Sequence, residues 1–456
     1  MSDKTPGPAD EESNRFGRRM KRYAQVGAGV GGIAAKVAGQ RMFGLTPNND
    51  KTARELKAAL GGLKGPIMKV AQMLATVPDV VPPEFAAELS ELQSAAPAMG
   101  WPFVKRRMRA ELGPGWETRF KSFEHEAAAA ASLGQVHRAT GLDGRNLAAK
   151  LQYPDMQSAV DADLNQLGLI FSIHRRLDQT IDTREIYAEI RARLVEELDY
   201  AREAAHTRLY ADIFAKEDRI AVPEIIEELS TRRLLTMSWL DGKPLLSFRD
   251  RTLKERNAIA GAMFMAWWYP FSHYGVIHGD PHLGNYTVRE DLGINLLDYG
   301  CIRIFPAAFV EGVVELYRAL ETEDRDRAAA AYQRWGFTRL TNELIDVLNV
   351  WAGFIYAPML DNRVRSIADG VSPAEYGRKE AFQVHQALGK LGPVTPPREF
   401  VFMDRAAIGL GGVFLHLGAE LNFYKLFNET IEGFDATKLA QRQARALKKA
   451  GVPKPE

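Results

Sequence analysis

The residues between positions 276 and 300 hold the pattern with the clearest chemical meaning. Asp280-Pro281-His282 is followed by Asn285, and Asp298-Tyr299-Gly300 lies a short distance further along the chain. Phosphoryl transfer needs a carboxylate near the attacking oxygen and oxygen ligands for Mg²⁺, which neutralises charge on the phosphates. Because Asp280, Asn285 and Asp298 could supply those groups, the segment predicts a phosphoryl-transfer centre.

The sequence between Asn285 and Asp298 predicts the element that brings these two residues together. Residues 286–288 and 294–297 have strand-like compositions, and a polar turn at 290–293 separates them, so a β-hairpin is expected. Folding the hairpin back places Asp298 beside Asn285. Either motif alone is more typical of a turn or a strand exit, and the prediction therefore depends on both occurring together.

The composition is that of an ordinary globular protein and limits the possible functions. The length of 456 residues favours about two to three domains. Lys plus Arg number 59 against 58 Asp plus Glu, a formal charge of +1, so no nucleic-acid partner is expected. The single cysteine, Cys301, excludes an intramolecular disulfide and a multi-cysteine zinc site and is expected to be a small buried residue. Without a secretory signal or a segment of roughly 20 apolar residues, a cytoplasmic location is expected.

The patterns before residue 119 contain nothing strand-like. Residues 1–50 are predicted to form a disordered acidic tail, a basic cluster at 15–22 and a helix of small residues. A basic run beside an apolar helix can lie on an anionic membrane surface or pack on its own domain, and both interpretations stay open. Residues 51–118 are predicted to form a helical extension.

Beyond residue 118 the patterns predict a small β-containing lobe over 119–238 and then a helical lobe over 239–456 with the catalytic loops. The hairpin turn at 141–144 is expected between two strands. The predicted strands and helices of this region are strands at 122–131, 135–140, 146–152, 225–229 and 233–238, helices at 156–177 and 183–214, and an exposed basic helix at 438–449. The expected fold class is α+β, a protein-kinase-like bilobal fold with an all-helical N-terminal extension and a helix-rich C-lobe.

Lys150 lies in a predicted strand whose two faces differ in character. Ala148 and Lys150 share one face. On that face the small alanine could contact a purine, and the lysine ammonium could contact the phosphates of the nucleotide. Met237 and Trp239, where a later strand ends, are expected to complete this nucleotide pocket. A lone lysine in a strand is usually solvated, but kinase sites hold such a lysine with a helix carboxylate.

Glu197 and Glu203 are the candidate partners of Lys150. On one continuous helix they would point about 120° apart, so they cannot serve one point equally, and two separate roles are expected. Acidic residues on a helix often form only a solvated face.

An alanine-rich stretch occupies the place of a phosphate-covering loop and comprises Ala127, Ala128, Ala129, Ala130, Ala131 and Ser132. Glycines normally fill such a loop because they let backbone N–H groups approach phosphate closely. Alanine allows fewer conformations, so a stiffer loop is expected, although an alanine run is also good helix or packing material.

Together these motifs resemble the UbiB-type (AarF/UbiB) atypical kinase family, the relatives of the coenzyme Q biosynthesis kinases. The resemblance implies that the alanine-rich stretch is the nucleotide loop. It implies catalytic roles for Lys150, Glu203 and Asp280, and Mg²⁺ ligation by Asn285 and Asp298. Leu283 stands where proline is common in the family's catalytic loop.

A further family motif lies in the predicted extension. The family's Lys-x-Gly-Gln corresponds to Lys69-Val70-Ala71-Gln72, and its Glu-x-Asp corresponds to Glu197-Leu198-Asp199. Lys69 and Gln72 share one helical face, as a two-pronged contact requires, while Ala71 adds a methyl group where the family has glycine. The resemblance implies that Glu197 holds Lys69 and that the extension blocks the groove of a protein substrate.

The implied activity is Mg²⁺-dependent binding of ATP or ADP, with ATPase or small-molecule phosphotransfer coupled to quinone lipid metabolism. The implied partners are the nucleotide, a quinone-like lipid or phenolic small molecule, and the inner face of a membrane through peripheral contact. Two alternatives stay open. One is a phosphotransferase of the aminoglycoside or choline kinase type, and the other is a non-catalytic, nucleotide-gated lipid-binding scaffold. The phosphoryl acceptor, partner proteins and oligomeric state do not follow from the sequence.

Overall fold

The structure is a computed structural model that describes residues 98–130, 133–154, 194–337, 340–372 and 398–455, with isolated positions between these ranges. The predicted acidic tail, the basic cluster, most of the helix expected at 156–177 and most of the helical extension lie outside the described residues. The same holds for four predicted site residues, Lys69, Gln72, Ala131 and Ser132.

A mixed helix-and-strand unit forms the first part of the described chain. The elements of this part are α1 (Trp101–Leu112), β1 (Phe120–Ala130), β2 (Gly134–Gly141), β3 (Asn146–Gln152), α2 (Tyr200–Ile213), β4 (Ile220–Ala221) and β5 (Leu234–Ser238). The antiparallel sheet of this unit has the strand order β1-β2-β3-β5. In the turn between β2 and β3, Gly144 adopts φ 85° and donates its N–H to Gly141 O at 3.0 Å, which confirms the predicted hairpin turn.

The two faces of this sheet are covered by different helices. Leu147, Ala149 and Leu151 of β3 are buried in one hydrophobic cluster with Val104 and Met108 of α1. On the opposite face, α2 packs against β5 in a second cluster. The alternation predicted for β3 is therefore observed. One face of the strand is buried in the core, and the face that carries Lys150 is directed toward α2.

Helices dominate the chain after β5, as the predicted α+β class requires. Short strands connect them in two small sheets, ordered β4-β9-β8-β6 and β10-β7 among the described residues. The helices are α3 (Leu253–Tyr274), α4 (Ala307–Glu321), α5 (Arg325–Arg334), α6 (Asn342–Tyr356), α7 (Arg398–Leu417), α8 (Phe423–Ile431) and α9 (Ala436–Ala450). The strands are β6 (Lys243–Pro244), β7 (Val276–His278), β8 (Tyr286–Val288), β9 (Ile294–Leu296) and β10 (Ile302–Ile304).

One continuous hydrophobic core joins α2 to α9. It contains Leu209 of α2, Trp267 of α3, Phe427 of α8 and Leu447 of α9, each at most 1% exposed. Burial on this scale makes the C-terminal helices part of the same folding unit as the loops that follow β7 and β9.

Three sequence predictions about elements are wrong. The strand expected at 225–229 is a single bridge between Ile225 and Met237 followed by a 3₁₀ turn, because Ile226 and Leu229 turn inward to the core. The helix expected at 183–214 is not continuous: α2 begins at Tyr200, after the N-cap Asp199. The helix near 438–449 is present as α9 but is not simply exposed, because one of its faces is buried.

In the described parts of the chain, every helix is too short or too polar to cross a bilayer.

The buried face of α9 includes a glutamine, Gln443, that holds the backbone at both ends of the segment 276–304, which contains the predicted catalytic motifs. Gln443 Nε2 donates to Tyr274 O at 2.7 Å and to Phe305 O at 2.9 Å, at the chain positions just before β7 and just after β10. We expect Gln443→Ala to lower the free energy of unfolding by about 2–3 kcal/mol, because the buried carbonyl of Phe305 and the partly buried carbonyl of Tyr274 lose their donor. Urea unfolding measures this change.

Gln441 on the same helix is the matched control, because it is exposed. Gln441→Ala is expected to change the free energy of unfolding by less than about 0.5 kcal/mol. Equal effects of the two substitutions would show that Gln443 does not stabilise this junction.

Candidate functional site

Three elements that are distant in the sequence meet at the ammonium group of Lys150. Lys150 Nζ of β3 lies 2.6 Å from Glu203 Oε1 of α2 and 2.8 Å from Asp298 Oδ2 in the loop after β9. The two carboxylates are separated from Lys150 by 53 and 148 positions in the chain. Glu203 is therefore the helix carboxylate that contacts Lys150, which is the pairing the sequence analysis sought.

The position of Glu203 follows from where α2 begins. The Asp199 side chain accepts a hydrogen bond from Arg202 N at 3.0 Å and caps the helix, so Glu203 lies in its first turn. Glu197 lies before the cap, and the expected 120° separation on one helix does not apply. Glu197 instead lies against the loop of Asp298: a Cβ added at Gly300 would be 3.9 Å from Glu197 Cγ.

Burial and charge act in opposite directions on this ion pair. Burial opposes the charge of Lys150, but Asp298 and Glu203 together hold its pKa well above the usual 10.5. Burial raises the pKa of Glu203 to about 7, although Lys150 acts to lower it. The Tyr200 ring, whose centroid lies 5.3 Å from Lys150 Nζ, adds a cation–π contact.

The Asp280 loop is held by hydrogen bonds from Asn285. Asn285 Nδ2 donates to Asp280 O at 2.9 Å and to Asp280 Oδ2 at 3.2 Å. The β8–β9 hairpin pairs Tyr286 with Leu296, and Leu297 N donates to Asn285 O at 2.9 Å. The predicted hairpin is confirmed, and it places the residue before Asp298 against Asn285.

His278 connects the two loops, a role that the sequence analysis missed. Its Nε2–H donates to Asp298 O at 2.6 Å, and its Nδ1 accepts from Asp280 N at 3.2 Å. The ring is 1% exposed, and burial lowers its pKa, which favours the neutral form that these two contacts require. Its place two residues before Asp280 was the available signal.

Asp298 and Asn285 have the chemistry of Mg²⁺ ligands. Because Asn285 Nδ2 donates to Asp280, Oδ1 is the Asn285 atom that could ligate a cation. Asp298 Oδ1 accepts from Gly300 N at 3.0 Å, and its side chain is 36% exposed, so the carboxylate is oriented and accessible. Among the described residues, no three His, Cys, Asp or Glu side chains cluster as a metal site. Phosphate oxygens would have to complete the ligand set, as in kinase sites.

The nucleotide-side residues lie on the site face of the sheet. Ala148 pairs with Met237 across β3 and β5, next to Lys150, and Met237 is buried near Tyr200. The alanines at 127–130 belong to the end of β1, where 128–130 are exposed. The structure thus brings Ala148, Met237 and Lys150 together and makes most of the expected loop the tip of a hairpin.

Trp239 is engaged at the edge of this face by a residue that the sequence analysis missed. Arg138 of β2 pairs with Ala148, places its guanidinium 4.2 Å from the Trp239 ring, and donates to Asp241 Oδ1 at 3.1 Å. Trp239 Nε1 donates to the same oxygen at 2.9 Å. The position of Arg138 on β2 gave no signal of this contact, because partners about 100 residues away cannot be identified from one sequence.

The loop of Asp280 also packs against α7. A Cβ added at Gly409 would lie 2.4 Å from Pro281 Cγ, so only glycine allows this approach. Gly412, one turn further along α7, has no heavy atom within 4 Å of such a Cβ.

Comparisons with known proteins agree with this geometry. Residues 91–332, more than half of the chain, match the ABC1 atypical kinase-like domain. Over 304 residues the chain is 30% identical to the protein ACTIVITY OF BC1 COMPLEX KINASE 8, chloroplastic, of Arabidopsis thaliana, covering 65% of this chain and 40% of that protein. Over 449 residues it is 26% identical to atypical kinase coq-8, mitochondrial, of Caenorhabditis elegans, covering 92% of this chain and 58% of that protein. The chain thus spans about half the length of these relatives.

A solved structure shows the same architecture. It is the complex of Rv3197 with erythromycin from Mycobacterium tuberculosis, with a TM-score of 0.59 and 25% sequence identity. The likeness covers 88% of this chain and 99% of that chain. With the family match, it confirms the predicted kinase-like fold and its helix-rich C-terminal part.

The close approach of Gly409 to Pro281 generates a prediction. We expect Gly409→Ala to lower the free energy of unfolding by about 1–3 kcal/mol, because the added methyl overlaps the loop of Asp280. Gly412→Ala is expected to raise it by about 0.5–1 kcal/mol, because alanine favours a helix interior where space is open. Chemical denaturation compares the two, and a stabilising Gly409→Ala would contradict the contact.

The raised pKa of Glu203 predicts that the free energy of unfolding falls as pH rises. Glu203 has a pKa of about 7 in the folded protein against an ordinary 4.5, so between these values the folded state binds a proton that the unfolded chain releases. Relative to Glu203→Gln, the wild type should lose stability as pH rises from 4.5 to 7, by up to about 3 kcal/mol, and then stay level. Urea unfolding of both proteins at stepped pH gives the difference, and a difference that grows with pH would contradict the burial argument.

Proposed function

Because this chain belongs to the ABC1 atypical kinase-like family, we propose that it binds a magnesium nucleotide beside Lys150 and transfers the terminal phosphoryl group. One observation carries the proposal: Lys150 lies within 2.8 Å of both Glu203 and Asp298, which come from different elements. A buried lysine held between a helix carboxylate and a second acidic residue is the arrangement that kinases use to position phosphates.

Each candidate residue has a role in this proposal. Lys150 binds the phosphates and Glu203 fixes its ammonium group. Asp280 lies near the attacking oxygen and acts on its proton, while Asn285 and Asp298 ligate Mg²⁺, which neutralises charge on the phosphates. The nucleotide is covered by the site face of the sheet, from the alanines at the end of β1 to Ala148, Met237 and Trp239.

The phosphoryl acceptor is proposed to be water or a small molecule. Lys69 and Gln72 of the N-terminal extension are proposed to close the groove over Asp280, with Glu197 as the partner of Lys69. The place of Glu197 beside Gly300 supports this role, because it lies next to the loop of Asp298. Asp199 caps α2 through Arg202 N, which favours a structural role for it.

The wider role is proposed to be support of quinone lipid metabolism at a membrane surface. The resemblance to coenzyme Q biosynthesis kinases and the identity with atypical kinase coq-8 support it. The basic cluster at 15–22 is the proposed point of peripheral contact with anionic lipid.

The proposal predicts a loss of turnover when the metal ligand is changed. Asp298→Asn is expected to reduce Mg²⁺-dependent release of ADP from ATP about 100-fold or more, because it removes an anionic ligand from the cation. A coupled ADP assay on the purified full chain measures this. Asp291→Asn is the matched control: Asp291 lies in the exposed turn of the same hairpin, where it pairs with Arg289 at 3.1 Å. Its turnover should equal that of the wild type.

The same assay tests the finer parts of the proposal. Anionic liposomes and quinone-like phenols should raise turnover, and Lys69→Ala should change it if the extension closes the groove. Unchanged turnover in Asp298→Asn would refute the assignment of the site. Nucleotide binding without turnover under every lipid condition would favour a nucleotide-gated scaffold, and a stable phosphorylated small molecule would identify a phosphotransferase.

A further inference from the structure

A buried histidine on α2 contacts the loop of Asp298 in addition to Glu203. His206 Nδ1 lies 3.2 Å from Tyr299 O, and because a carbonyl only accepts, Nδ1–H is the donor. The ring is 2% exposed. His206 follows Glu203 by three positions, so the two side chains lie on one face of α2 and reach the same loop.

The contact complements the one made by His278 from the other side. His278 Nε2 donates to Asp298 O at 2.6 Å, so two consecutive carbonyls of this loop each accept from a buried imidazole. The Tyr299 ring is also held, with its centroid 5.3 Å from that of Tyr210, one further turn along α2. The two peptide groups that flank the Tyr299 Cα are thereby held, one through Asp298 O and the next through Tyr299 O.

From this geometry we infer that His206 is a positioning residue for the proposed metal site, which holds the Asp298 carboxylate toward the cation. A buried carbonyl without a donor is costly, so loss of the His206 contact would let the Tyr299–Gly300 peptide rotate toward another donor. Tyr299 O and Gly300 N belong to the same peptide group, and Gly300 N donates to Asp298 Oδ1 at 3.0 Å. Rotation of that peptide would therefore break the hydrogen bond that orients the Asp298 carboxylate. The inference rests on the proposed function, because it assumes that Asp298 ligates Mg²⁺.

Two substitutions separate this role from simple packing. Asn places its Nδ2 donor at the same number of bonds from the backbone as His Nδ1, whereas Gln places its donor where His Nε2 lies. The experiment is isothermal titration of the full chain with ADP, with and without Mg²⁺. The ratio of the two affinities reports the coupling between nucleotide and cation.

His206→Asn is expected to keep the wild-type ratio within about twofold. His206→Gln is expected to lower the ratio about tenfold, with ADP affinity in the absence of Mg²⁺ unchanged. His206→Leu is a second variant without a donor at the position of Nδ1, for use if the Gln variant does not fold, and the same drop is expected of it.

The outcomes distinguish this inference from the proposed function. A wild-type ADP affinity that does not respond to Mg²⁺ would overturn the proposed function itself. A normal wild-type response that His206→Gln or His206→Leu retains in full would overturn only the role of His206. Equal loss of the response in His206→Asn and in the Gln or Leu variant, neither of which has a donor at the position of Nδ1, would also overturn it, because the Nδ1 donor would then not be the cause.

Discussion

The buried positive charge of Lys150 is the constraint on which the site depends. Its side chain is 16% exposed and its partner Glu203 only 3%, and a charge taken out of water costs several kcal/mol unless it is paired. The pairing needs three elements to stay within hydrogen-bond distance. Packing of β3 on α1 fixes the strand that carries Lys150. The Asp199 cap fixes where α2 begins, and His278 holds the loop of Asp298.

The two carboxylates that share this lysine have different surroundings. Glu203 is almost fully enclosed, whereas the side chain of Asp298 is 36% exposed and meets the open face of the site. The enclosed carboxylate of Glu203 therefore positions Lys150, whereas the accessible carboxylate of Asp298 can also contact a ligand. The two acidic residues therefore differ in what they can contact, although a single one would balance the charge of Lys150.

Local patterns in the sequence predicted local structure well. The bounds of β3, the turn at Gly144 and the β8–β9 hairpin all follow from alternation and turn residues. The break before α2 was missed because Asp199 can lie inside a helix or cap one, and the tertiary contacts of Glu197 and Glu203 decide between these states. Arg138, His206 and Gly409 could not be found at all, because their partners are distant in the chain and a single sequence carries no signal of such contacts.

The predicted roles of the motif residues rest on chemistry that the sequence does show. Residue type and spacing pointed to Lys150 and Asp298, and the family resemblance chose Glu203 over Glu197; the structure places these three residues together. The contacts that orient them come mostly from backbone carbonyls and N–H groups, as at Asp298 O and Gly300 N. Such contacts leave little trace in residue types, because any residue supplies the same backbone group.

Gln443 of α9 donates to the backbone just before β7 and just after β10. This contact bears on where the protein can be divided into domains. The family match ends at residue 332, yet the hydrophobic core continues through α9, and the Pro281 loop rests on α7. The end of the matched domain is therefore not a boundary of folding. A protein cut at residue 332 would lose the helices that cover the hydrophobic core and the donor that Gln443 supplies to Tyr274 O and Phe305 O.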